Sequence, residues 1–271
     1  MDIAATARHR GVMMLEIGDL CVALAGRQVL HSISLTAQQG QITAIVGPNG
    51  SGKTTLLRAM TGDAPFHGHA RLNGLDVAQA KLWQLATIRA VLAQATQLAF
   101  PFTVTEVVRL GLQSSEVDAQ TDLPARALAM VGLASYGNRA FQDLSGGEQQ
   151  RAHLARVLLQ VWQPVGPNGP RWLFLDEPVS SLDIGHQLMV MGIARRFADA
   201  GGGVVAVMHD LNLTAMFADQ MALLHNGRLA AMGSPHQVMT DGTLSTAYGC
   251  PVRVNAAPDH GPWLVPQAMP A

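Results

Sequence analysis

The chain has 271 residues, 48% of them hydrophobic and 14% charged, with 18 basic against 19 acidic side chains and a net charge of −1. That length can bury a substantial core and suits one large domain, or one domain carrying an inserted subdomain. Charge so close to balance leaves no electrostatic footprint for nucleic acid, and no uninterrupted apolar run approaches the roughly 20 residues a membrane span needs.

Residues 1–13 read as a loose tail without the apolar core of a signal peptide, so the chain is expected to stay in the cytoplasm. From Leu15 to Ala37 the stretches LEI, CVALA and VLHSISLTA alternate like strands, broken at Gly18, Gly26 and Gln38, and predict an antiparallel layer. The apolar run QITAIV then meets the nonapeptide Gly47, Pro48, Asn49, Gly50, Ser51, Gly52, Lys53, Thr54 and Thr55. A buried strand that stops in a glycine-rich loop and restarts as a helix is a phosphate cradle. Gly47 and Gly52 let backbone N–H groups turn to one point, and the helix aims its positive end there. Lys53 supplies a positive charge for the β- and γ-phosphates, and Thr54 a hydroxyl for Mg²⁺. The chain has only two lysines, which makes a chance match to the whole pattern rare. The same tetrapeptide, GPNG, recurs at Gly166 to Gly169 with no lysine, threonine or helix behind it, and is expected to be only a loop.

After a strand HARLNG, a helix is predicted over Ala78 to Thr87, then a strand IRAVLAQ ending at Gln94. The pattern turns helical from Val104 to Gln150, an insert between two halves of an α/β core. Within it LSGGEQQR opens a helix, with Ser145 as N-cap, Gly146 and Gly147 exposing backbone N–H groups, and Glu148 completing a capping box. Such a helix end is well capped and is also able to grip a γ-phosphate. Lying in a separate insert, it is better placed for a nucleotide on a second copy than for the one held by its own phosphate loop. The apolar run WLFL reads as a buried parallel strand that delivers Asp176 and Glu177 to its C-terminal end, where ligands of parallel sheets bind. Asp176 suits the Mg²⁺ shell, and Glu177 is able to accept a proton from an attacking water. A helix from Asp183 to about Ala200, the strand VVAVMH, a short helix, and a hairpin turning at Asn226-Gly227 complete the core. Cys21 and Cys250 suggest neither a disulfide framework nor a metal knuckle.

With Gln94 at a strand end, Ser180-Ser181-Leu182-Asp183 and Met208-His209-Asp210, these motifs stand in an order and spacing that resemble the ATP-binding cassette ATPases along nearly the whole chain. The resemblance implies an α/β P-loop NTPase core with a mostly parallel sheet, an N-terminal antiparallel β layer and an inserted helical subdomain. The tail would be 1–13 and the single domain 14–271, with 14–94 and 155–271 as core and 95–154 as the helical signature subdomain. It implies ATP and Mg²⁺ as ligands, and a head-to-tail dimer with two ATP molecules between the phosphate loop of one copy and the Ser145–Glu148 end of the other. In that frame Glu177 is the catalytic base, His209 contacts the γ-phosphate, Gln94 senses Mg²⁺ and couples to a membrane partner, and Asp183 shapes the dimer seam. The aromatic residue that usually stacks on adenine is replaced, at Val22, by an aliphatic one.

Phe100-Pro101-Phe102-Thr103-Val104 followed by EVVRLG looks like the importers of iron chelates, haem and cobalamin. The loop QPVGPNGPRW and the texture from Leu182 to YGCPVRV look like the haemin-import members of that class. The expected partners are a second copy, two transmembrane permease subunits at the cytoplasmic face of the cell membrane, and, through the permease, a haemin-binding protein; no nucleic acid is expected. A ferric-siderophore or cobalamin importer is the alternative. ATPases of DNA repair or translation would show long heptad insertions, a tandem cassette or a basic surface, and a small-molecule kinase would lack LSGGEQQR and His209. Cys250-Pro251 and the pair His67 and His69 are read as ordinary surface rather than as haem ligands.

Overall fold

The computed structural model describes residues 14–94, 100–114 and 122–266; the tail of residues 1–13 lies outside them. Strands β1 (Met14–Leu24) and β2 (Arg27–Gln38) form an antiparallel hairpin, followed by β3 (Ile42–Val46) and helix α1 (Lys53–Met60). Then come β4 (His67–Leu72), β5 (Leu75–Asp76), α2 (Leu82–Ile88) and β6 (Arg89–Leu92). The helical segment carries α3 (Val104–Arg109), α4 (Leu123–Met130) and α5 (Gly146–Gln160). The chain returns through β7 (Val165–Gly166), β8 (Gly169–Pro170), β9 (Trp172–Asp176), α6 (Ile184–Asp199) and β10 (Gly203–Val207). It closes with α7 (Leu211–Phe217), β11 (Gln220–His225), β12 (Arg228–Gly233), α8 (Pro235–Val238) and α9 (Asp241–Tyr248).

The central sheet has the order β12-β11-β3-β10-β9-β6, parallel except for the β12 edge, and a second sheet runs β2-β1-β4-β5. The runs ITAIV, WLFLD and GVVAV are buried at every position because both faces of the central sheet are covered. Leu173, Leu175, Val204 and Ala206 pack with the helical side, whereas Trp172, Phe174, Val205 and Val207 pack with α1 and the antiparallel layer. Period-two alternation thus splits each strand between two cores. Parallel strands β3, β9 and β10 all end at the same edge, which places Gly47, Glu177 and Met208-His209 side by side.

Several expectations from the sequence need correction. Gly18 does not break β1; the register shifts there as a bulge, Asp19 takes a positive φ of 47°, and the His69 ring covers Gly18 where a Cβ would sit. Helix α2 begins only at Leu82, because the Asp76 carboxylate accepts from the Ala78 N–H (2.9 Å) and holds a turn instead. The second GPNG is not a plain loop but the turn of the β7–β8 hairpin, with Val165 paired to Pro170. The expected boundary at 154–155 falls inside the unbroken helix α5. At Asn226-Gly227 both residues take positive φ, 49° and 72°, as a two-residue hairpin turn requires.

Trp172 anchors the two sheets together. It is fully buried, stacks on Phe174, and donates its indole N–H to the side-chain oxygen of Asn73 at 3.0 Å. Trp172→Ala is expected to lower stability by about 3–5 kcal/mol, read as a fall in the urea midpoint.

Candidate active site

Nine residues in sequence build the cradle between β3 and α1. Gly47 has φ 143° and its absent Cβ would lie 2.1 Å from the Leu224 carbonyl oxygen; Gly52 has φ 100° and a Cβ there would meet Leu30 at 2.6 Å. Only glycine fits either place. The Lys53 ammonium folds back over the loop and donates to the carbonyls of Gly47 (2.9 Å) and Pro48 (3.1 Å). Burial lowers its pKa, and the charges of Glu177 and Asp176 counter that. The Ser51 hydroxyl is buried without a partner among the described residues. A glycine-rich loop that runs into a helix N-terminus, with one near-buried cation and an orphaned hydroxyl, fits a polyphosphate.

Asn49, Gly50, Gly52, Lys53, Thr54 and Thr55 line one wall of an open cleft of about 820 Å³, within the range of ligand sites. Gln94, Glu177 and His209 line the other. The Thr54 hydroxyl donates to the Asp176 carboxylate at 3.1 Å. Asp176 is buried, and that desolvation raises its pKa; the bond from Thr54 works the other way. Two hard oxygens beside a phosphate cradle fit Mg²⁺, which takes few protein ligands and shares the phosphate oxygens. Among the described residues no group of three or more His, Cys, Asp and Glu side chains is gathered to hold a metal unaided.

The three residues singled out around the reacting phosphate converge on one carboxylate. One Glu177 oxygen meets the His209 Nε2 at 2.5 Å, and the other accepts from the Gln94 side-chain amide at 2.9 Å. Glu177 itself stands in the left-handed region at φ 52°, which a non-glycine residue adopts at a cost. Its backbone is tied on both sides: its N–H donates to Val207, and its carbonyl accepts from the Gln150 amide (2.9 Å) and the Ser180 hydroxyl (3.2 Å). His209 is fixed at the end of β10 because the next residue, Asp210, caps α7 by accepting from the Leu213 N–H.

The other candidates lie apart. The capping box on α5 is formed as expected: Ser145 accepts from the Glu148 N–H, and Glu148 accepts from the Ser145 N–H and hydroxyl, which hold its pKa down. Ser145, Gly146, Gly147 and Glu148 line no part of the cleft. Asp183 is exposed and caps α6; the His186 N–H it accepts at 2.9 Å, and then the His186 ring, lower its pKa. Val22 is wholly buried in the core under the antiparallel layer, so it cannot stack on a base; Val29, on β2, lines the cleft instead.

Some participants were not singled out as site residues from the sequence. Gln187 and Ser180 line the cleft, Gln150 reaches Glu177 from the helical segment, and the Tyr248 hydroxyl, its pKa raised by burial, is hydrogen-bonded to the Gly47 backbone from α9. Gln150 stood in plain view inside LSGGEQQR, but its contact spans 27 residues of sequence.

A family model described as ABC transporter matches residues 30–180. The chain is 63% identical over 245 residues to the Hemin import ATP-binding protein HmuV of Jannaschia sp. (strain CCS1), covering 90% of this chain and 91% of that one. It is 59% identical over 257 residues to the protein of the same name from Roseobacter denitrificans, covering 94% and 98%. A solved structure of the ATP-binding subunit of an ABC transporter superposes with a TM-score of 0.75 at 22% identity, over 87% of this chain and 98% of that one, a likeness of fold alone.

Proposed function

Because the chain belongs to the ABC transporter family, we propose that it is the ATP-hydrolysing subunit of an importer that carries haemin across the cytoplasmic membrane. The convergence of Gln94, Glu177 and His209 opposite the phosphate cradle carries the ATPase reading. The haemin cargo rests on likeness along nine-tenths of the chain to proteins described as hemin import ATP-binding proteins.

The backbone N–H groups from Asn49 to Thr55, apart from that of Ser51, which donates to the Pro48 carbonyl, and the Lys53 ammonium bind the polyphosphate. Thr54, Asp176 and Gln94 would hold Mg²⁺, which when bound would supply positive charge to the β- and γ-phosphates. Glu177 takes the proton of the attacking water, and His209 hydrogen-bonds the γ-phosphate oxygens. Ser145, Gly146, Gly147 and Glu148 serve the nucleotide of a second copy, since their helix end lies outside the cleft of its own chain. Asp183, exposed ahead of α6, lies at the seam of that head-to-tail dimer. Among the described residues no helix is long and apolar enough to cross a membrane, so two separate permease subunits complete the path, with this chain at their cytoplasmic face. A haemin-binding protein delivers cargo to the permease, and this chain never touches it.

Growth of a deletion strain under iron limitation tests the proposal, with haemin, a ferric siderophore and cobalamin supplied in parallel. Loss of haemin use alone, restored by the wild-type gene, is the expected result. If haemin use survives and siderophore or cobalamin use fails, the cargo is wrong while the ATPase stands.

A further inference from the structure

Glu177 needs its backbone held. Its φ of 52° is unfavourable for a residue with a Cβ, and a relaxed peptide would swing the carboxylate away from Gln94 and His209. Three bonds converge on the Glu177 carbonyl: the Ser180 N–H at 3.3 Å, the Ser180 hydroxyl at 3.2 Å, and the Gln150 side-chain amide at 2.9 Å. The two from Ser180 are local to the turn. Gln150 comes from α5, one helical turn beyond Gly146 and Gly147.

Among the described residues the Gln150 side chain makes no other hydrogen bond. Its Oε1 is buried with no partner among the described residues, so one of its polar atoms goes unsatisfied to deliver the other to Glu177. An aliphatic side chain of the same length would fill that place without the desolvation penalty. The N-terminal turn of α5 also bears on the segment after Glu177: a Cβ on Gly147 would lie 3.1 Å from the Ser181 carbonyl oxygen and 3.2 Å from the Leu182 side chain. Displacement of this helix end therefore presses on the Ser181-Leu182 segment that follows the Glu177 turn.

We infer that Gln150 is a positioning residue for Glu177, linking the helix end that grips the nucleotide of one site to the carboxylate that works at the other. This rests on the head-to-tail arrangement proposed above, in which α5 of a protomer faces its partner's nucleotide while Glu177 faces its own. The two ATP sites are then coupled within each chain by one hydrogen bond, and hydrolysis at one site responds to occupancy of the other.

The test uses the full chain, with ATP hydrolysis and ATP-driven dimerisation measured for wild type and for Gln150→Leu. The variant is expected to lose about tenfold in kcat with KM for ATP unchanged, and, combined with Glu177→Gln, to dimerise on ATP as Glu177→Gln alone does. Gln150→Glu keeps the size and adds a titratable donor. Its rate relative to wild type should rise as the pH is lowered, as the new carboxyl gains the proton it needs to donate. A merely structural residue would show no such rise. Unchanged kcat in Gln150→Leu, loss that appears in KM or dimerisation instead, or a flat pH ratio in Gln150→Glu overturns the inference. A wild-type chain that neither hydrolyses nor dimerises on ATP would instead bring down the nucleotide reading beneath it.

Discussion

Glu177→Gln is expected to cut the rate of ATP hydrolysis by two to three orders of magnitude, roughly, while ATP binding and ATP-driven dimerisation persist. The substitution keeps the size of the side chain and does not change what the backbone must adopt at φ 52°. It also keeps the two contacts within reach. An amide has one oxygen to meet the His209 ring nitrogen, and Gln94 is able to turn its own amide so that its oxygen accepts from the new NH₂. What disappears is the capacity to take a proton from water. General-base catalysis is worth about 10²–10⁴ in rate, so its loss reads in kcat and hardly in KM. Steady-state hydrolysis and light scattering with ATP check the two halves separately. A variant that hydrolyses at the wild-type rate removes Glu177 as the base, and one that no longer dimerises shows the carboxylate to be needed for closure.

Much of this site was legible because its parts are short and local. The glycine, lysine and threonine of the cradle sit within nine residues, and the chemistry of each follows from its own atoms. The capping box at Ser145 and the turn at Asn226-Gly227 are likewise fixed by residues three or fewer apart. What stayed hidden was set by tertiary packing. Nothing in WLFLDEP says that Glu177 takes a left-handed conformation; that follows from where Val207 and Gln150 lie in the fold. The place of Val22 turned on the bulge in β1, where the register shifts between Ile17, Leu20 and Val22 and determines which side chains face inward. The two copies of GPNG make the same point. One lies between a buried strand and a helix and cradles an anion, while the other joins two short paired strands and turns a hairpin. Tyr248 comes to Gly47 from the C-terminal α9, about 200 residues away, and no local pattern predicts that.

Lys53→Ala is expected to weaken MgATP binding by about a hundredfold and, with it, to abolish ATP-driven dimerisation. An ammonium has three donors; Lys53 gives two to the Gly47 and Pro48 carbonyls, which leaves the third, and the charge, for phosphate. Hydrogen bonds to charged groups contribute about 1.5–3 kcal/mol each, and a loss near 3 kcal/mol is about two orders of magnitude in affinity. The neighbours add to the effect. Asp176 and Glu177 both stabilise the ammonium, so without it two carboxylates face an incoming polyphosphate with no fixed cation between them. Lys53→Arg separates charge from shape, because a planar guanidinium carries the charge but is a poor fit between two carbonyls that a compact ammonium bridges. Binding is expected to suffer in both variants, more in alanine, by titration with a fluorescent ATP analogue. If Lys53→Ala binds within a fewfold of wild type, the loop is not the phosphate site. The Glu177 and Lys53 variants should therefore fail on opposite sides of dimerisation: the glutamine chain accumulates as the ATP-bound dimer, and the alanine chain never reaches it.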